Sequence, residues 1–406
     1  MPRFALQLTI AISLICLVLI AAAVIAGTLT PRGSWLAWVS AKVLDSEISV
    51  WDGRVVVNFS VKAPWYSVFP TWGADGRLAW IAGYDIVIWD GEQVRNVSQT
   101  PESGDYSPTW SADGRLAWVA ASGDDSEIMV WDGEQVRNVS QNPDLRDTMP
   151  EWSQDGRLAW RSSRRPEQDF SLVVWDGQQI ILVGRNPDAQ NLLFTWSADG
   201  QLAWEFLRSG QSDLFVWDGA RTVCVSPNRR WHDYTWSDDG RLAWASVQDR
   251  GDEIFLWDGE QVRNLSRELD APGRDPRWSR DGQLAWTAAT GTGKEIVMWD
   301  GESVRDISQN PDARDTQPQW SHDGRLVWNA WNHRNNFFEI IVWDGQQHVI
   351  DASGNPDAEY RVPMWSHDGR LAWTAAGTGS PMVDLIVWDR QRTLNLGRGS
   401  GPVWSE

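Results

Sequence analysis

A nine-residue phrase, Trp110-Ser111-Ala112-Asp113-Gly114-Arg115-Leu116-Ala117-Trp118, recurs along the chain almost letter for letter. Its first Trp falls at 72, 110, 152, 196, 236, 278, 320 and 365, at spacings of 38 to 45 residues. A second phrase follows each copy, as in Val130-Trp131-Asp132-Gly133-Glu134-Gln135-Val136-Arg137-Asn138-Val139-Ser140. Its Trp recurs nine times, at 51, 89, 131, 175, 217, 257, 299, 343 and 388. Self-similarity at this period restricts the chain to repeat architectures, in which one supersecondary unit packs against copies of itself.

Each unit reads as four short strands, exemplified by Pro150-Glu151-Trp152-Ser153, Leu158-Ala159-Trp160, Leu172-Val173-Val174-Trp175 and Ile180 to Val183. Short runs rich in Val, Ile and Trp between turn residues are strand signals. Asp155-Gly156 joins the first strand to the second and Asp176-Gly177 the third to the fourth. Asp-Gly suits a tight hairpin with φ > 0 at both central residues. Units of four antiparallel strands at this period are β-propeller blades. The end segments complement each other: Leu36-Ala37-Trp38 is a second strand without a first, and Pro402-Val403-Trp404-Ser405 is a first strand without a second. The expected fold is therefore all-β: one propeller of nine four-stranded blades, closed by pairing of the C-terminal strand with the N-terminal blade. Eight blades is the fallback if the end segments stay unpaired.

Composition supports this reading. The chain has 31 Trp against 5 Tyr and 10 Phe, and three Trp per blade account for most of them as filling between blades. Buried indole N–H groups need acceptors, for which the repeated Ser and Asp are suited. The net charge of −19 argues against nucleic acid as a partner. Two cysteines exclude a disulfide-dense scaffold or a Cys-rich zinc site.

No charged residue occurs from Phe4 to Pro31, and Leu8 to Gly27 is nearly continuous apolar sequence. About twenty such residues span a bilayer core. Residues 1–32 are thus expected to be a membrane anchor, one transmembrane helix and a short linker, with 33–406 as the propeller. Ala21-Ala22-Ala23 and Val24-Ile25-Ala26 leave a cleaved signal peptide open. Arg3 and the free amine favour a cytoplasmic N-terminus, which places the propeller outside the cytoplasm, in the periplasm or the extracellular space.

The phrase Pro318-Gln319-Trp320-Ser321-His322-Asp323-Gly324 resembles the PD40 repeat of TolB-like propellers, and its Trp-Asp pair gives the second phrase a WD40-like character. Phe194 and Tyr234 replace the leading Pro in two copies, and Gly73 replaces the Ser in one. The resemblance covers residues 34–406 and implies an envelope propeller that mediates interactions rather than an enzyme.

The Asp-Gly turns share one face of such a ring and are uniform; loops on the opposite face vary in length. Binding residues sit on variable loops over a rigid scaffold, so the functional surface is expected on that face. Trp65, Tyr66, Trp231, His232, Trp331 and His333 lie outside the repeated positions, in loops, and suit protein or sugar contacts. Asp105, Asp147 and Asp315 each stand five residues before a first-strand Trp. They would crowd toward the channel mouth, where an acidic ring would hold Ca²⁺, or else cap loop backbone. No other cofactor or metal is expected. His322 and His367 read as solvated turn residues. The Asn-x-Ser sequons at Asn96, Asn138 and Asn264 fall inside the fourth-strand repeat and read as structural. No nucleophile elbow, phosphate loop or zinc-protease motif is present. The expected function is a membrane-tethered scaffold for a protein partner. The alternative is a glycan- or cell-wall-binding propeller, and a lyase or glycosidase comes third.

Overall fold

The structure, a computed structural model, describes residues 34–41, 46–59, 67–99, 104–164, 168–229, 232–249, 251–291, 293–309, 314–332, 337–346, 349–352, 358–377 and 383–405. The expected anchor, residues 1–32, lies outside these. Among the described residues no helix is long and apolar enough to cross a membrane.

The repeats are strand meanders. In one, Gly104–Trp110, Leu116–Ser122, Asp125–Trp131 and Val136–Asn138 pair antiparallel in chain order. The other repeats follow the same order; two parallel pairs, Ser126 with Arg146 and Lys294 with Arg314, also link neighbouring groups of four. The all-β, four-stranded pattern is that of a β-propeller. The end segments join as expected. Strands Leu36–Ala41, Ser46–Trp51 and Val56–Phe59 take Ser400–Trp404 as their fourth member, with Leu36 opposite Trp404 and Ala37 opposite Val403. The Ser405 N–H donates to the Trp35 carbonyl (2.7 Å), and the Trp35 N–H to Ser405 Oγ (2.7 Å).

Tryptophan plays two roles. The second-strand indoles, from Trp38 through Trp204 to Trp373, are fully buried. The first-strand indoles link neighbouring repeats. Trp110 Nε1 donates to the Thr71 carbonyl, Trp152 to Thr109, Trp196 to Glu151 and Trp236 to Thr195. Trp278 donates to Thr235, Trp320 to Arg277, Trp365 to Gln319 and Trp404 to Met364. Trp72 donates across the chain ends to Val403, at 3.2 Å. Each acceptor immediately precedes the neighbouring repeat's own first-strand Trp, so the bonds run in a circle. These indoles therefore use backbone carbonyls rather than the expected Ser and Asp, because the neighbouring first strand presents its C=O at indole height.

Arginine adds a second link. Arg115 bonds Asp113 in its own turn, reaches the Gly156 carbonyl of the next repeat at 3.0 Å, and lies 4.5 Å over the Trp152 ring. Arg77, Arg157, Arg241, Arg325 and Arg370 repeat the arrangement. A planar guanidinium can stack and donate sideways at once, which an ammonium cannot. This accounts for a chain in which Lys42, Lys62 and Lys294 are the only lysines.

Two local features depart from expectation. First, the Ser-x-Asp-Gly hairpins need φ > 0 only at Gly, as at Gly114 (+85°) and Gly156 (+84°); Asp113 and Asp155 stay at negative φ. Gly114 N–H bonds the Ser111 carbonyl and Ser111 N–H bonds the Arg115 carbonyl, a type I turn closed by a left-handed Gly. The Asp carboxylate is thereby freed to accept from Ser111 Oγ and Arg115 Nε. Second, the first strand bulges wherever Pro stands two residues before its Trp. The register shifts at Pro70, Pro108, Pro150, Pro276, Pro318, Pro363 and Pro402. It runs unbroken where Phe194 and Tyr234 replace Pro. Proline has no N–H for the ladder, so the strand takes up an extra residue there.

Removing residues 401–406 would delete Trp404, its bond to Met364 and the acceptor of Trp72. Losing a fully buried Trp costs about 3–5 kcal/mol; half-buried Trp404 carries part of that, and the lost strand partner and indole bonds add to it, against a typical domain stability of about 5–15 kcal/mol. The truncated protein should unfold or aggregate through the opened strand edge. A melting curve matching that of the full chain would show that this seam does not hold the ring.

Candidate functional site

The carboxylates at the start of the first strands are placed between neighbouring repeats. Asp105, Asp147 and Asp315 are all buried, at 3%, 1% and 2% exposure, so they form no open ring at a mouth. Burial pushes the Asp147 carboxyl up to about 6, against opposing hydrogen bonds from Ser162, Ser140 and the Trp160 indole. Asp315 is raised by burial to about 6 likewise, against an opposing bond from Ser308. In each, Oδ1 has no partner among the described residues, which leaves a seat for the proton. Asp147 thus receives the second-strand Trp160 indole, the acceptor role expected of Asp, whereas the Trp328 indole N–H beside Asp315 has no hydrogen-bond partner among the described residues. Among the described residues no three His, Cys, Asp or Glu come together to hold a metal ion.

The loop aromatics are distributed differently from expectation. Trp65, Tyr66, Trp231 and His333 lie outside the described residues. His232 opens the strand His232–Trp236 opposite Ser246 rather than sitting in a loop. Trp331 belongs to the strand Leu326–Asn332, where it pairs with Phe338, the rings meeting edge-on at 5.0 Å. Cross-strand aromatic pairing extends that hairpin beyond the point where the Trp-Asn-His sequence reads as a loop.

The sequon serines are structural. Ser98, Ser140 and Ser266 are buried, and their Oγ atoms accept the N–H groups of Ile86, Ile128 and Ile254 at 3.0, 2.9 and 2.9 Å.

The uniform face holds a site that the sequence pattern did not single out. A cavity of about 590 Å³ opens where the first strands end, lined by Trp236, Trp278, Trp320, Trp365 and Trp404 and the turns that follow them. Its rim carries the one unconstrained letter of the Trp-Ser-x-Asp-Gly phrase: Gln154, Asp238, Arg280, His322 and His367. The His322 and His367 rings lie 4.0 Å apart, centroid to centroid, and Arg280 Nη1 sits 3.0 Å from His322 Nδ1. Partial desolvation, then the charges of Arg280 and His367, hold the His322 imidazole below its usual value. A signal was present in the sequence: the slot is Ala at 74, 112 and 198 but Arg, His and His in three consecutive repeats. Only the ring brings those three into contact.

The fold defines the class, a β-propeller, and solved structures share it. A eukaryotic initiation factor structure matches at 12% identity and TM-score 0.61, covering 92% of this chain and 98% of that one. Dipeptidyl peptidase 4 of Porphyromonas gingivalis matches at 13% identity and TM-score 0.60, covering 81% of this chain and 59% of that one. TolB of Acinetobacter baumannii also matches, at 14% identity and TM-score 0.38, over 73% of this chain and 81% of that one. Identities this low establish likeness of fold alone. No protein-family model matches the chain, and no curated protein matches it.

The buried carboxylates make a pH prediction. Their folded-state pKa lies above the unfolded value of about 3.9. The stability they contribute is complete below that value and is lost as pH rises through about 6. Asp147→Asn or Asp315→Asn should match the wild type near pH 4 and exceed it by about 1–3 kcal/mol at pH 7. Denaturant unfolding at both pH values reads this, and equal wild-type and variant stabilities at neutral pH would count against the shift.

Proposed function

We propose that the chain is a membrane-tethered, extracytoplasmic β-propeller of nine blades that binds a protein partner through its variable face. The circle of indole-to-carbonyl bonds supports the blade number. The apolar run in residues 1–32 supports the tether and, with Arg3, the placement outside the cytoplasm. The proposal is one of binding rather than catalysis, with no resident cofactor.

One observation carries the assignment of the face. On the Asp-Gly side the described turns share one geometry, closed by a left-handed Gly or, at one position, by Arg390. On the other side the hairpin between second and third strands ranges from two residues, Gly83-Tyr84 between paired Ala82 and Asp85, to six, Ala289 to Lys294 between paired Ala288 and Glu295. A rigid ring that varies its relief on one side only has the form of a recognition surface. The aromatic pair Trp331–Phe338, half-buried on one of the longer hairpins, favours a glycan as the second reading, since ring faces suit sugar contacts.

Two experiments test this. Deleting residues 1–32 should give a soluble, folded, acidic protein; a fragment that is insoluble while the full chain behaves well in detergent would overturn the division into tether and propeller. Replacing Ala289 to Lys294 and residues 333–336 by two-residue turns should abolish co-purification of the partner from detergent-solubilised membranes while leaving the melting temperature unchanged. Retained co-purification would exclude these hairpins as the binding surface. Glycan binding lost on Trp331→Ala, with no protein partner captured, would favour the second reading.

A further inference from the structure

The basic cluster on the opposite, uniform face is independent of that reading. Four basic residues there depart from the repeat, all in the last three full copies, beside Gln154 and Asp238 in earlier ones. Arg280, His322 and His367 fill the slot that is Ala in three earlier copies. The fourth is Arg390, which stands where all eight other copies of the second phrase have Gly. Arg390 holds φ at +76°, a left-handed conformation that a residue with a Cβ adopts only at an energetic cost. Non-glycine residues kept in that region cluster at functional sites. Its guanidinium bonds the Asp323 carboxylate at 3.1 Å and the Asp368 and Gly369 carbonyls at 3.0 and 3.2 Å. Asp323, the acid beside His322, is thereby shared between Arg325 and Arg390. Asp368, beside His367, is bound by Arg370. Asp323 and Asp368 are thus occupied by arginines outside the cluster; Asp281, the corresponding acid beside Arg280, has Gln283 rather than Arg in its turn, and Asp238 is the acid that lines the cavity rim.

We propose that Arg280, His322 and His367 form an anion-binding site at this end of the channel, which takes an oxyanion of the sulfate, phosphate or carboxylate type. Arg280 supplies a permanent charge and a planar pair of donors. The two imidazoles supply N–H donors and, when protonated, two further charges. An empty site sets Arg280 and the His367 ring against the His322 imidazole, so they oppose its protonation. A bound anion reverses this by stabilising all three charges together. Affinity should therefore rise as pH falls through the histidine range, under the opposing influences of Arg280 on one side and Asp238 and Asp323 on the other. In a chain of net charge −19, a local concentration of positive charge at the rim of a cavity is a selective place for an anion to bind.

Sulfate is the probe of choice because its charge is constant over this range. The full chain, labelled with ¹³C-histidine, would be titrated with sodium sulfate and, at matched ionic strength, with sodium chloride. Sulfate should shift the His322 and His367 signals saturably at a pH of about 5.5, with affinity at least about tenfold weaker near pH 8. Chloride should not saturate them. Succinate in place of sulfate distinguishes a carboxylate ligand from a tetrahedral oxyanion. Arg280→Ala installs the residue that the same slot carries at 74, 112 and 198, so folding should be unaffected while sulfate affinity falls at least about tenfold. Arg390→Gly restores the repeat's own residue and should melt no lower than the wild type, yet weaken sulfate binding by releasing Asp323 toward His322. Equal responses to sulfate and chloride, or unchanged affinity in Arg280→Ala, would overturn the proposal. Saturable binding of zinc chloride without any of sulfate would replace it with a metal site.

Discussion

The ring depends on the bond that each first-strand indole makes to the carbonyl just before its neighbour's indole. A four-stranded meander cannot bury both of its faces alone, so a blade is stable only against others. Apolar packing supplies most of the attraction but little direction, since flat indoles can slide. The Nε1–H to carbonyl bond, at 3.0 to 3.3 Å around the circle, fixes the height of one first strand against the next. Each is worth about 0.5–1.5 kcal/mol net, but their alignment lets every repeat impose the same offset. Closure then requires that the last offset meet the first, and Trp72 to Val403 together with Trp404 to Met364 meets it.

The arginine link acts on the same joint from the turn side. Arg115 ties its own Asp113, the next Gly156 carbonyl and the next Trp152 face with one planar group. Burial pulls Asp113 upward, and the bonds from Arg115 and Ser111 outweigh it, holding the carboxyl below its usual range. Gln201 and Gln283 stand where the other repeats have Arg. Gln201 bonds Asp199 within its own turn, with no stacking group to send onward. The ring is therefore not uniform in its joints, and the Gln283 joint is where Arg280 reaches across to His322 instead.

The architecture was legible in the sequence because repetition multiplies weak signals: eight copies of Trp-Ser-x-Asp-Gly at one period leave few arrangements, and the two unpaired end strands specify their own pairing. The same repetition concealed the finer structure. The leading Pro reads as a family letter, and its effect, a register shift, shows only when Pro70 or Pro150 is set against Phe194 and Tyr234. Asp-Gly reads as a turn with two left-handed residues, whereas the Ser hydroxyl and Arg hold the Asp in an ordinary conformation. Trp331 reads as a loop residue because Asn and His follow it; Phe338, its cross-strand partner, lies seven residues further on. The three aspartates read as a channel-mouth set because their offsets match. Matching offsets around a ring also place them at matching joints between blades, where they are buried and Asp147 meets the Trp160 indole.

The candidate sites divide according to what kind of neighbour each needs. Features that depend on residues nearby in sequence, such as hairpin length, were visible along the chain, and they direct attention to the variable face. The cluster of Arg280, His322 and His367 depends on residues about 40 apart that become neighbours only in the ring. In a propeller, any slot at a fixed place in the repeat is carried to a fixed radius and height. A slot near the axis brings successive copies together, while the same slot near the rim keeps them apart. The first-to-second-strand turn lies near the axis, so a change of a single letter in three consecutive repeats builds a contiguous surface without altering the fold. A uniform face is thus where a repeat protein can assemble a site with the fewest changes. Its uniformity hides the site from a search for irregular loops.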